Sequence, residues 1–89
     1  MAKRNKLEIM KDILAIIQKN NNNIKPTPLS RKSNLSSTRF KEYFLELTQK
    51  GFIKEINREN SNFISLTEKG FRFLERYKTI VNFIDEFEL

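Results

Sequence analysis

The chain has 89 residues, which is enough for one small domain with a single hydrophobic core. It contains no cysteine and no histidine, so disulfides, thiolate metal sites and the commonest general base are excluded. The net charge of +6 is unevenly placed: residues 1–41 hold ten lysines or arginines and two acids, whereas residues 42–89 hold seven and nine. This one-sided charge favours a polyanionic partner, with a generally solvated cationic protein as the alternative.

The first helix is predicted over residues 7–19, after a basic tail that carries Lys3, Arg4 and Lys6. Apolar residues recur on one face of this helix, as expected for packing on a core; they are Leu7, Met10, Ile13, Leu14 and Ile17, flanked by Ile9 and Ile16. Four asparagines at 20–23 end the helix, because asparagine competes for backbone hydrogen bonds and tolerates turn geometry. No apolar run approaches the roughly 20 residues of a membrane span, so no membrane association is expected.

Two further helices are predicted across a tight turn. Thr27 and Pro28 suit the cap and the first position of helix 2, which would run to about Ser33 after a brief extended segment at residues 24–25. Asn34 would take the place of the usual turn glycine. Ser36 is then a good N-cap for helix 3, and Gly51 ends it in the left-handed conformation.

Helix 3 has an apolar stripe of Phe40, Phe44 and Leu47, with Tyr43 beside it. Its other side is polar and net basic at the N-terminal end, where anions are already favoured; the exposed set is Ser37, Thr38, Arg39, Lys41 and Glu42. We interpret it as a recognition helix, although a merely solvated basic face is also common. Leu45 lies off the stripe and could touch a thymine methyl or be peripheral core.

Residues 52–57 and 62–66 are rich in β-formers and flank a polar turn, so they predict a hairpin whose tip carries Arg58 and Asn60. Thr67 then caps a last helix that is predicted to reach about Phe87, and Gly70 near its start indicates close backbone packing. The predicted fold is mainly α with a small β-hairpin.

Apolar residues on the last helix exceed what one small core needs. Phe71 and Leu74 are expected to pack on the domain itself. A second set is spaced 4, 3, 4, 3, as in a heptad seam, and comprises Phe73, Tyr77, Ile80, Ile84 and Phe87, with Val81 alongside. This seam predicts a homodimer, with intramolecular packing as the alternative. Residues 1–66 would be the binding domain and residues 67–89 a dimerisation helix packed on it.

Four strings carry a resemblance over nearly the whole chain: KLEIMKDILAII, NLSSTRFKEYFLEL, QKGFIKEI and LTEKGFRFLERY. With them the sequence resembles the small archaeal winged helix-turn-helix proteins, which include chromatin-associated DNA binders and transcription regulators. The resemblance implies a winged helix with an extra C-terminal helix that pairs as an antiparallel coiled coil. By matching position it implies recognition residues at Ser36, Ser37, Thr38, Arg39 and Lys41.

We therefore expect a dimeric protein that binds double-stranded DNA, works as a transcriptional regulator and resides in the cytoplasm on the nucleoid. Arginine can read guanine bidentately, so base contacts are assigned to Thr38, Arg39 and Glu42. Phosphate contacts are assigned to Lys3, Arg4, Lys6, Arg31, Lys32 and Lys41, and wing contacts to Arg58 and Asn60. The alternatives are an architectural chromatin protein and a winged-helix module for protein–protein contact. No cofactor, metal or enzymatic activity is expected, because no nucleophile–base pair, metal cluster or phosphate loop is present.

Overall fold

A computed structural model describes residues 4–89, so the predicted contact at Lys3 lies outside the described residues. The elements follow the predicted order of three helices, a hairpin and a last helix. They are α1 (Lys6–Lys19), α2 (Pro26–Lys32), α3 (Ser37–Gln49), β1 (Ile53–Arg58), β2 (Ser61–Leu66) and α4 (Glu68–Glu86). The predicted fold class, mainly α with a small hairpin, is confirmed.

Helix α1 is the centre of the core. Asn5 caps it by accepting a hydrogen bond from the Glu8 N–H at 2.8 Å, which satisfies one of the unpaired amides of the first turn. The buried side chains are Ile9, Met10, Ile13, Leu14 and Ile17. Leu7 was also expected in this core, but its side chain is 46% exposed, because the first turn of α1 extends beyond the packed interior.

The loop after α1 is fixed to the hairpin. Asn21 and Asn22 both have positive φ, as expected of a turn built from asparagine. The Asn22 side chain accepts a hydrogen bond from the Leu66 N–H at 2.6 Å, and its backbone carbonyl accepts one from the Ser65 hydroxyl at 2.7 Å. Ile24 then forms an antiparallel bridge with Ile64, so the extended segment predicted there is confirmed.

Helix α2 begins two residues earlier than predicted. Lys25, not Thr27, is at the N-cap, and it makes no side-chain capping bond. Pro26 takes the first helical position, and Pro28 also falls in the first turn, where a missing N–H costs nothing. Lys25 is itself extended, so α2 begins directly after the extended segment that contains the Ile24–Ile64 bridge.

The turn and caps of α3 follow the prediction. Asn34 has a φ of 60°, so it does take the place of the turn glycine, and Gly51 ends the helix with a φ of 78°. The Ser36 hydroxyl accepts a hydrogen bond from the Arg39 N–H at 3.2 Å. Phe40 and Leu47 are buried in the same hydrophobic cluster as the apolar residues of α1 and the hairpin, while Ser36, Ser37 and Thr38 at the N-terminal end of α3 are exposed.

The two strands pair antiparallel from Ile53–Leu66 to Arg58–Ser61. Glu59 and Asn60 form the two-residue turn, and both have positive φ, as a type I′ hairpin requires. Ile53, Ile64 and Leu66 are buried, so the base of the hairpin belongs to the core while its tip is exposed.

Helix α4 packs closely at its start and projects at its end. The Thr67 hydroxyl caps it by accepting from the Gly70 N–H at 3.2 Å. A Cβ atom on Gly70 would lie 2.3 Å from the Phe52 carbonyl oxygen, so the predicted close packing is confirmed. The assignment of Phe71 to the core was wrong: it is 37% exposed, whereas Phe73 and Leu74 are half-buried against the core.

Candidate nucleic-acid interface

The candidate interface begins at the N-terminal end of α3. Ser36, Ser37 and Thr38 are all exposed there, so the predicted polar end of the helix does face solvent. The Ser36 hydroxyl is already an acceptor for the Arg39 amide, which leaves its own O–H free to donate. The amides of this first turn favour a negatively charged group.

Farther along α3, Thr38, Lys41, Glu42 and Leu45 lie on the outward side of the helix, opposite the buried Phe40. Leu45 is 57% exposed, so it is a surface residue and not peripheral core. An exposed leucine between polar neighbours can meet an apolar group such as a thymine methyl. The outward side therefore combines hydrogen-bonding, charged and apolar groups in one strip.

Arg39 lies to one side of this strip. Its guanidinium sits 5.9 Å from the centre of the Tyr43 ring, in a cation–π arrangement. Beside it, Lys6 pairs with Glu46 at 2.8 Å and Lys50 pairs with the same carboxylate oxygen at 3.1 Å. The hydrogen bond to Glu46 raises the pKa of Lys6, and the same bond lowers the pKa of Glu46. Lys6, predicted to meet phosphate, thus has a partner within the chain.

Arg4 also has an intramolecular role that the sequence analysis missed. One guanidinium nitrogen donates to the Asp12 carboxylate at 2.9 Å, and the other donates to the Ser33 carbonyl oxygen at 3.1 Å. Partial burial opposes the charge on Asp12, but hydrogen bonds from Lys11 and Arg4 outweigh it, so the pKa of Asp12 is lowered. Arg4 therefore links the start of α1 to the end of α2.

The cations of residues 25–42, unlike Arg4 and Lys6, are not paired with acids. Between residues 25 and 42 the chain carries one acid, Glu42, and five cations, all of them exposed. Within residues 4–89, none of the five takes part in an ion pair; they are Lys25, Arg31, Lys32, Arg39 and Lys41. The structure thus leaves the positive charge of residues 25–42 without ion-pair partners. Lys25 was not among the predicted site residues.

A groove of about 860 Å³ separates α2 and α3 from the hairpin. Its apolar lining includes Leu35, Phe44 and Leu45, and its polar lining includes Lys41 and Glu55. No group of acids in the described part of the chain is arranged to hold a metal ion. Across residues 4–89 the helices are also too short or too polar to cross a membrane.

The sequence matches the family model described as winged helix-turn-helix over residues 3–85, which is nearly its whole length. The chain belongs to the winged helix-turn-helix family. A comparison with curated protein sequences finds no match.

Several solved structures are similar to the chain. Sso10a-2, a DNA-binding protein from Sulfolobus solfataricus, is 18% identical with a TM-score of 0.74, and the alignment covers 96% of this chain and 86% of that one. SSV1 F-93 is 27% identical with a TM-score of 0.68, and the alignment covers 90% of this chain and 88% of that one. The oxidised form of MarR from E. coli is 19% identical with a TM-score of 0.72. There the alignment covers 82% of this chain and 53% of MarR, so the chain spans about half of that protein.

In this winged helix the hairpin is the wing, and its tip places Arg58 and Asn60 in solvent. Lys54 lies four residues before Arg58, on the same face of β1, and is also exposed. It was not predicted, although alternation along β1 could have indicated it. The wing therefore carries two exposed cations on one face.

The predicted dimer residues fall into two groups. Phe73 and Tyr77 are half-buried in their own domain. Phe73 packs edge-on against Phe52, with 5.2 Å between the ring centres, and Tyr77 stacks on Phe73, with 6.4 Å between the ring centres. The other predicted dimer residues are exposed along the second half of α4; they are Ile80, Val81, Ile84 and Phe87. Phe83 is exposed beside them and was not predicted. Apolar surface thus lies uncovered at the end of α4.

Proposed function

We propose that the protein is a homodimer that binds double-stranded DNA and regulates transcription on the nucleoid, with α3 in the major groove. The observation that carries this proposal is the unneutralised charge of residues 25–42, five exposed cations against one acid. Of the other eleven lysines and arginines in residues 4–89, four pair with acids: Arg4, Lys6, Lys11 and Lys50. A surface kept cationic beside an exposed helix N-terminus suits a polyanion.

Each part of the interface has its own role. Arg31, Lys32 and Lys41 contact phosphates, which supply affinity and set orientation. Thr38, Arg39 and Glu42 contact base edges, because they lie on or beside the outward strip of α3. The wing contributes Arg58 and Asn60 at its tip. Ser36 and Ser37 donate to the phosphate nearest the start of α3.

Two predicted phosphate contacts now have a competing partner. Arg4 and Lys6 are exposed enough to approach a phosphate, but each would have to share or leave a carboxylate to do so. We therefore assign them a smaller share of the affinity than Arg31 and Lys32.

DNA binding is also supported by a similar structure, since Sso10a-2 is described as a DNA-binding protein.

The dimer is supported by the apolar residues that α4 leaves exposed, since patches of this kind on a small domain usually mark an interface. Ile80 lies at the middle of the seam, so Ile80→Asp should give a folded monomer. Its DNA binding should weaken strongly, because two linked reading units gain from a high effective concentration. Sedimentation of both forms measures this, and a parent that is monomeric at tens of micromolar would exclude the dimer.

DNA binding itself is tested by titrating a randomised duplex at several salt concentrations. If Arg31, Lys32 and Lys41 each meet a phosphate, the logarithm of the affinity should fall with the logarithm of salt with a slope of about −2.7 per domain. A selection from randomised duplexes then distinguishes a regulator, which enriches one sequence, from an architectural protein, which does not. Affinity that does not depend on salt would contradict both and favour a protein partner.

A further inference from the structure

We propose that the hairpin carries a second nucleic-acid site, on the side turned away from α3, and that this site binds a single strand. The site is separate from the duplex interface proposed above and goes beyond it. In the resulting complex, Lys25 and Lys54 contact phosphates. A base packs on the apolar pair formed by Ile56 and Phe63.

The two faces of the hairpin have different surroundings. Side chains alternate along a strand, so the buried Ile53, Ile64 and Leu66 mark the face that packs on the core. Glu55 and Asn62 belong to this core-side face and line the groove beside α3. The opposite face, the outer wing face, has no acidic residue; it comprises Lys54, Ile56, Arg58, Ser61, Phe63 and Ser65. The outer wing face therefore points away from the helix that we assign to the major groove.

Three exposed cations lie on or beside the outer wing face. Lys54 and Arg58 are about 13 Å apart along β1. Lys25 reaches this face from the start of α2, and its Nζ lies 5.8 Å from the centre of the Phe63 ring. Within residues 4–89, none of the three takes part in an ion pair. Because Glu59 follows Arg58 at the tip, we assign the main phosphate contacts to Lys25 and Lys54.

The centre of the outer wing face is apolar. Ile56 and Phe63 lie directly opposite each other in the two strands, and both are half-buried. In the described part of the chain, neither packs against the hydrophobic core cluster. An aromatic ring among cations suits a single strand, because bases stack on the ring while the cations hold the phosphates. Paired bases in a duplex are stacked on one another and cannot reach Phe63 in this way.

A cavity of about 370 Å³ lies between the outer wing face and the asparagine loop after α1. Lys54 lines one side of it, and Asn21, Asn22 and Asn23 line the other. The Asn22 side chain is bonded to the Leu66 N–H, which fixes the loop, whereas Asn21 and Asn23 are exposed. Each asparagine amide offers both donors and an acceptor, as the edge of a base does. This complementarity favours a nucleic acid over an acidic peptide.

The test is fluorescence anisotropy on the full chain with labelled single strands, oligo(dT) and oligo(U), each of about twelve nucleotides. Affinity should fall as the salt concentration rises, and Lys54→Ala should lower the salt slope by about 0.7, because one phosphate contact is lost. An abasic strand of the same length should bind about fivefold more weakly or worse, since it has no bases to stack. Comparison of oligo(U) with oligo(dT) shows which of RNA and DNA the site prefers.

Two further variants separate stacking from charge. Phe63→Leu keeps an apolar side chain but removes the aromatic face, so the single-strand Kd should rise about fivefold or more, whereas Phe63→Tyr should keep the parent value. Lys54→Ala changes an exposed position, so it tests the site even if Phe63→Leu melts early. Lys78→Ala is the matched control, because Lys78 is an exposed lysine of α4 and should leave the Kd unchanged.

The same measurements on a duplex distinguish this site from the α3 interface. Lys32→Ala should weaken the duplex and leave the single strand unchanged, and Lys54→Ala should do the reverse. A parent that binds neither single strand, or binds the abasic strand equally well, would overturn the proposal. Equal losses on both ligands for Lys54→Ala would make this face part of the duplex interface, and full displacement of the strand by polyglutamate would indicate an acidic peptide instead. Single-strand binding without duplex binding would contradict the proposed function and leave this site standing.

Discussion

Substituting Gly70 by alanine tests how tightly α4 is held against the turn that follows α3. A Cβ at this position would lie 2.3 Å from the Phe52 carbonyl oxygen and 3.3 Å from a Leu66 methyl carbon. The carbonyl cannot simply move away, because it accepts the Thr67 N–H at 3.1 Å. The backbone of Phe52 is fixed as well, since the Phe52 N–H donates a hydrogen bond to the Leu47 carbonyl oxygen at 2.9 Å.

The opposing contributions can be compared. In a helix interior, alanine is favoured over glycine by about 1 kcal/mol. Overpacking a fixed backbone costs about 1–3 kcal/mol. Losing the hydrogen bond between Thr67 and Phe52 costs about 1 kcal/mol more. We therefore expect Gly70→Ala to lower the free energy of unfolding by about 1–3 kcal/mol, which corresponds to a Tm decrease of at least about 4 °C for a domain of this size.

Thermal and urea unfolding followed by circular dichroism measure this difference. Lys78→Ala is a suitable control, since Lys78 is an exposed residue in the same helix and should change stability by less than about 0.5 kcal/mol. If Gly70→Ala stabilised the protein by about 1 kcal/mol, helix propensity would be the dominant effect. The close approach of α4 to Phe52 would then be wrong.

Three other predictions concern single side chains. Arg39→Ala should weaken binding to the selected sequence by about 1–3 kcal/mol with unchanged Tm; equal affinity, or early melting, would remove its role at a base. Lys32→Ala should weaken all duplexes alike and lower the salt slope by about one per domain, so a loss on one sequence alone would contradict a phosphate contact. Asp12→Asn should lower stability at pH 7 by about 0.5–1 kcal/mol, because it removes the carboxylate that Arg4 holds. The folded pKa of Asp12 is below its usual value, so this contribution is present above about pH 4 and is lost as the pH falls through the folded pKa. Urea unfolding of both forms across that range checks it: the difference should shrink in acid, and one that is constant with pH would contradict the ion pair.

Much of the fold could be predicted from the sequence because its signals are local. Ser36 and Thr67 each cap a helix three residues before the amide they bind, and Gly51 and Asn34 supply the positive φ that their turns need. Gly70 indicated close packing from its place inside a helix. In each case the residue type and its immediate neighbours contain the physical cause.

The errors come from contacts between distant residues. The start of α2 depends on Ile24 pairing with Ile64, forty residues away, and this contact moves the first helical residue back to Pro26. Arg4 was predicted to meet phosphate because a basic tail is normally solvated. Its hydrogen bond to the Ser33 carbonyl joins two segments that the sequence does not relate.

The last helix shows a third kind of difficulty. Phe71 and Phe73 are both apolar, and either could face the core if the helix were rotated. The rotation is set by Gly70, whose contact with Phe52 turns Phe73 toward the core and leaves Phe71 exposed. Spacing alone cannot predict this choice, since it identifies a face but not what lies opposite.

The bridge between Ile24 and Ile64 also has a consequence for the order of folding. Residues 22–24 meet residues 64–66 across 40 to 44 positions, whereas α1, α2, α3 and the hairpin each form from neighbours in the chain. Closing so long a segment is unfavourable until the intervening helices are compact, so we expect this edge of the sheet to form late. Both backbone groups of Ile24 are bonded to Ile64. A contact that forms last opens first, so amide hydrogen exchange at these two positions should report the opening of this edge, at a free energy below that of the whole domain.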